Sequence, residues 1–144
     1  MADNKVNIQM RLTSVNEVSF MMSPGKLGGD IKPEDIQMGF SNQIKPDIDN
    51  DSFGLNFGVR YEIHGEVVLE STYSFVFEVK NLKDFIAFNN DSSITVNHIM
   101  PHLLSVAVGT MRGILVVKTA GTNFAKYPLP MIDINNLNSS LTAR

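Results

Sequence analysis

The sequence predicts an α+β domain: a four-stranded antiparallel meander sheet packed with one long helix and a short C-terminal helix. Three observations carry this. Four successive segments in the first half alternate apolar and polar residues with the two-residue period of half-buried strands. Beyond about residue 95 the apolar spacing changes to the three and four residues of a helix. The 144 residues suit one domain, 1–144 with a core over about 5–137, long enough to bury a substantial interior.

In the first strand Val6, Ile8, Met10, Leu12, Val18, Phe20 and Met22 are even-numbered and apolar, which reads as one long half-buried strand or two collinear pieces with a bend near Ser14-Val15-Asn16. A loop punctuated by Pro24, Gly25, Gly28 and Gly29 follows. The second strand places Ile36, Met38, Phe40 and Ile44 on one face and ends near Pro46-Asp47. The third has Phe53, Leu55, Phe57, Val59, Tyr61 and Ile63, and the fourth Val67, Leu69, Tyr73, Phe75, Phe77 and Val79, all odd-numbered. Directly opposed residues share a face, so pairing Ile63 with Val67 fits, leaving a three-residue loop at His64-Gly65-Glu66.

Asn81 to Asn90 is a mixed segment. From Val96 to Lys118 the apolar arc covers on the order of 200° of a helical wheel, with Pro101 near the start. A helix this apolar needs two partners. Its opposite side carries Ser105, Gly109 and Gly113, a row of small residues that admits a second helix backbone. Each glycine costs about 0.8–1.0 kcal/mol against alanine, so a contact must offset it unless the glycines sit near a frayed end. Ala120-Gly121-Thr122 stops the helix, and Asp133 to about Leu137 reads as one short turn capped by Asp133, fraying beyond Asn138.

Composition narrows the function classes. The formal net charge of −3 gives no basic footprint for nucleic acid. The absence of cysteine removes disulfides, thiol catalysis and thiolate metal sites. The N-terminus does not read as a signal peptide, which makes a cytoplasmic protein the expectation. Ile99 to Val117 is nearly long enough to span a bilayer, but His102 and Arg112 lie within it, so no stable membrane insertion is expected.

Chemistry-bearing motifs are few. His98 and His102 are four apart and would share a helix face, yet neither a following glutamate nor a third ligand is implied. His64 belongs to a hairpin turn. Gly25-Lys26-Leu27-Gly28-Gly29 lacks the spacing of a phosphate loop. No catalytic residues, metal site or cofactor are expected, and the chain does not read as an enzyme. What stands out is apolar excess in or beside the non-sheet segments: Met21, Met22, Leu27, Ile31, Phe85, Phe88, Phe124 and Tyr127. Flexible Met and aromatic side chains suit a surface that repacks around varied partners; the alternative is that they cover the edges of the core.

The order of elements resembles the SecB family of protein-export chaperones over about residues 5–137. Glu17-Val18-Ser19-Phe20 is similar to the family's acidic–aliphatic–Ser–Phe segment. Phe75-Val76-Phe77-Glu78-Val79 is similar to its fourth strand, and Met100-Pro101, Arg112-Gly113 and Leu129-Pro130 fall at its aromatic–Pro step, Arg-Gly step and loop proline. The chain departs from the family in a shorter segment before the long helix, in Met131-Ile132 after the proline, and in lacking an acidic tail.

The resemblance implies an ATP-independent holdase that binds unfolded preproteins in hydrophobic grooves. It also implies a homotetramer, a dimer of dimers with the long helices between the sheets, and delivery to the SecA motor. Glu17, Val76 and Glu78 match the docking positions for SecA's zinc module, while Met21 replaces a further acidic one. Strand parity puts the three on one solvent-facing surface. Divergent relatives serve toxin–antitoxin systems. A small-ligand carrier or a purely structural oligomer are the readings from other classes.

Overall fold

Alternation in the first half does build strands, and two of them obey it throughout. The computed structural model describes residues 7–26, 28 and 31–142; Val6 and Leu27 lie outside these. Strands β1 (Met10–Met22), β2 (Ile36–Asp47), β3 (Ser52–Ile63) and β4 (Glu66–Val79) form one antiparallel sheet. Helix α1 (Met100–Lys118) lies on its apolar face, and α2 (Ile134–Thr142) packs against α1 and β2. The α+β architecture is as expected.

Strand order corrects the meander. It runs β1-β4-β3-β2, so only β2, β3 and β4 meander, while β1 sits on the far side of β4. The segment after β1 must therefore cross from one edge of the sheet to the other. Ser23 N–H donates to the Val68 carbonyl (2.8 Å) and Lys26 pairs with Glu66 (3.1 Å) as this crossing begins.

The β3–β4 hairpin also differs. His64 and Gly65 alone form the loop, both at positive φ (51° and 83°), as a two-residue primed turn requires. Ile63 consequently opposes Glu66, which would set apolar against polar along both strands. A bulge corrects the phase. Glu62 opposes Val67 and Tyr61 opposes Leu69, leaving Val68 unpaired and buried. Beyond it, odd faces odd, and Phe53, Leu55, Phe57, Phe75 and Phe77 share one core.

In β1 the even-numbered reading fails at the centre. Bulges fall between Leu12 and Ser14 and between Glu17 and Ser19. Each shifts the face by one residue, so Val15 and Glu17 oppose Phe75 and Tyr73 on the helix side and Val18 is exposed; Leu12, opposite Phe77 before the first bulge, is exposed at the sheet edge. The second bulge restores Phe20 and Met22 to the core.

Helix α1 begins with Pro101 in its first turn, where a missing N–H costs nothing. Leu103, Leu104, Ala107, Val108, Met111 and Leu115 are buried. By length and composition α1 could cross a membrane, but these side chains belong to the core shared with the sheet. The segment before it contains a small hairpin that the periodicity does not signal: β5 (Ile86–Phe88) pairs with β6 (Ile94–Val96). Asp133 accepts from the Asn136 N–H (3.1 Å) as the cap of α2. That helix runs to Thr142 instead of fraying at Asn138, because Leu137 and Leu141, four apart, are both buried.

Candidate functional site

The aromatic residues outside the sheet divide into two groups. Phe85 (5% exposed) and Phe124 (1%) are core residues, which corrects their reading as surface contacts. Phe124 follows the Thr122 cap, whose hydroxyl accepts its N–H (3.2 Å), and its ring lies 6.3 Å from that of Tyr61. Phe88 is 72% exposed, Met21 is exposed at the sheet edge, and Met22, Ile31 and Tyr127 are half-buried. Met22 meets the loop after α1, its sulfur accepting from Thr122 at 4.0 Å.

That loop is pinned to the sheet by Tyr61, whose hydroxyl donates to the Tyr127 carbonyl (2.7 Å). Arg112 holds the next stretch, donating from Nε to the Leu129 carbonyl (3.2 Å) and from Nη2 to that of Pro130 (2.8 Å). Burial pushes the Tyr61 phenol up to about 12. A folded value above the unfolded one means that stability present below pH 10 is lost as pH rises toward 12. Stability should therefore fall by about 1–2 kcal/mol over this interval. Urea midpoints measured against pH should fall more steeply for the wild type than for Tyr61→Phe; parallel curves would refute the role given to this phenol.

A groove of about 370 Å³ was not signalled by the sequence. Asn42 and Ile44 of β2, Ile94 and Val96 of β6, Met100 of α1 and Leu141 of α2 line it. It runs beside the outer edge of β2, a 12-residue strand paired on one side only and free of bulges. An edge of this kind offers alternate backbone N–H and C=O groups to another chain. None of the eight apolar contact residues expected from the sequence lines this groove; contact between β2, β6 and the two helices is a long-range property that no local spacing encodes.

Glu17, Val76 and Glu78, expected together as a docking surface, do not share one face. Val76 and Glu78 point from the outer face of β4, and Arg11, directly opposite on β1, binds Glu78 (3.0 Å). Glu17 is on the helix side, its Oε1 accepting from Tyr73 Oη (3.0 Å) and Lys118 Nζ (2.8 Å). The bulge at Thr13 is the physical reason: it advances the strand by one residue and inverts the parity. A polar cleft of about 430 Å³ near Glu78 is lined by Arg11, Asp51 and Lys80 among others, so both signs of charge are present.

No family model and no curated protein matches the chain. Among solved structures it is similar to the Mycobacterium tuberculosis Rv1957 SecB-like chaperone in complex with a ChAD peptide from the Rv1956 HigA1 antitoxin. The identity is 10%, over 86% of this chain and 89% of that one, with a TM-score of 0.47.

The outward side of α1 bears Ser105, Gly109 and Gly113, all exposed, with Val106, Val116 and Val117 (75% exposed) beside them. His98, at φ 70°, precedes the helix and does not share a helical face with His102, which corrects that expectation. Among the described residues no three potential metal ligands converge.

Proposed function

We propose that the chain is an ATP-independent holdase that binds unfolded polypeptide along the β2 edge and the adjoining groove. The carrying observation is the pairing of an unbulged strand at the sheet edge with a groove lined by Ile44, Ile94, Val96, Met100 and Leu141. An extended client would pair backbone groups with β2 and place alternate apolar side chains in the groove. Phe88, Met21, Met22, Ile31 and Tyr127 supply further weak contacts, and several such contacts along one chain give avidity without strict sequence specificity. Binding the unfolded state suppresses folding and aggregation by mass action, with neither catalysis nor a cofactor. In this reading residues 1–144 form one cytoplasmic, SecB-like domain, assembled as a homotetramer through the outer face of α1.

Aggregation of a chemically denatured client is expected to slow at equimolar protein without nucleotide, and Ile44→Lys should weaken the effect several-fold. An ATP requirement, or no delay at any ratio, would overturn the proposal. For the destination of clients, service to a toxin–antitoxin pair is the second reading. It is favoured over SecA delivery by the separation of Glu17 from Val76 and Glu78 and by the Arg11–Glu78 pair. Binding of the zinc-loaded SecA C-terminal peptide, lost in Glu78→Lys, would reverse that preference.

A further inference from the structure

Between its two bulges, β1 has little apolar hold on the molecule. Of residues 13–19 none is buried and only Ser14 and Val15 are half-buried, Val15 being the one apolar side chain of the run that packs on the core. Thr13 and Val18 have no ladder partner, so pairing with β4 is already interrupted at both ends of a four-residue run, Ser14 to Glu17. Outside the bulges the strand is well anchored, since Met10, Phe20 and Met22 pack on the core.

Besides Val15, what ties the central run to the helix side is Glu17. Its carboxylate draws together Tyr73 on β4 and Lys118 in the last turn of α1. Lys118 Nζ also lies 4.9 Å above the Phe20 ring, just beyond the second bulge. The hydrogen bond from Lys118, and then that from Tyr73, hold the Glu17 carboxyl below its usual range, while the same bond with Glu17 raises Lys118. Both groups stay charged around neutrality. The pair is also partly open to water, with side-chain exposures of 39% for Lys118 and 44% for Glu17.

We propose that Glu17, Tyr73 and Lys118 form a latch on a two-state segment, residues 13–19, which is either seated on β4 and α1 or looped out between its anchors. Release would uncover the outer backbone edge of β4 over about residues 72–76 and the flanks of Tyr73 and Phe75, without disturbing β2 or β3. The bulges make this opening local, because only the ladder pairs from Ser14 to Glu17 and the Ser19–Thr72 pair must break. The latch is independent of the holdase reading and is read by a different measurement.

Hydrogen exchange of the full chain tests it, with Glu17→Ala and Lys118→Met as the variants. Peptides covering 13–19 and 72–76 should exchange about threefold to tenfold faster in either variant, while β2 and β3 keep their protection. The double variant should be no faster than the faster single one, since either change opens the same latch. High salt should accelerate the wild-type segment and leave the variants unmoved. Unchanged exchange over 13–19, or equal acceleration across all four strands, would overturn the proposal.

Discussion

Phe124→Ala is expected to lower unfolding stability by about 3–5 kcal/mol, the usual cost of removing a fully enclosed aromatic ring. Phe88→Ala, in a chain of the same length and composition, should change it by no more than about 0.5 kcal/mol. The contrast follows from position. Phe124 is 1% exposed, rests against Tyr61 and closes the loop that Tyr61 pins through Tyr127. Its loss opens a cavity and slackens that anchor together, so the effect should lie toward the upper end of the range. Phe88 projects from the β5–β6 hairpin into solvent and carries no core contact of that kind. Denaturant unfolding followed by circular dichroism measures both. In the holdase assay the order should reverse, Phe88→Ala losing client affinity at unchanged stability. Similar stability losses in the two variants would show that the division into core and surface aromatics is wrong.

Gly109→Leu should leave each chain folded and dissociate the proposed tetramer. A Cβ placed at Gly109 or at Gly113 meets nothing within 4 Å in the single chain. Replacing glycine within a helix by a better helix former gains about 0.8–1.0 kcal/mol of local stability. The variant chain should therefore melt no earlier on its own account. Two helices that approach through the Ser105, Gly109 and Gly113 row, however, have no room for a leucine between their backbones. Sedimentation should show a fall in mass, with the far-ultraviolet spectrum unchanged. A wild type that is monomeric at micromolar concentration would remove the tetramer altogether. An unchanged mass in the variant would move the interface away from this side of α1.

The legible parts of the fold are those where one local rule runs uninterrupted. β2 and β3 keep strict parity with each other from Ile36 opposite Ile63 to Asp47 opposite Ser52, and their core residues were readable in advance. α1 was readable from its spacing and from Pro101. Bulges defeat the same rule because no glycine marks Thr13, Val18 or Val68: the broken parity at Ser14-Val15-Asn16 allows a bend in β1 but does not place the bulges, whose cause is the pairing with a neighbouring strand. The position of β1 beside β4 is likewise set by long-range packing and not by the loop residues that precede β2. The site suffered from both effects. One inverted run carried Glu17 to the opposite face from Glu78. Phe85 and Phe124, lying outside regular strands, were indistinguishable in sequence from Phe88, although they close the ends of the core.

The two bulges of β1 also have a consequence for length. Thirteen residues, Met10 to Met22, run alongside the eleven from Leu69 to Val79. At roughly 3.3 Å per residue the outer strand carries about 6–7 Å more contour than its neighbour. Two ribbons fastened at both ends and unequal in length cannot lie straight together, and the longer one must bow. This margin of the sheet is therefore arched, whereas β2 matches β3 residue for residue and carries no such excess. An arched ribbon is a poor template for stacking a further strand, so any growth of the sheet by addition of foreign chain is directed to the opposite side of the molecule.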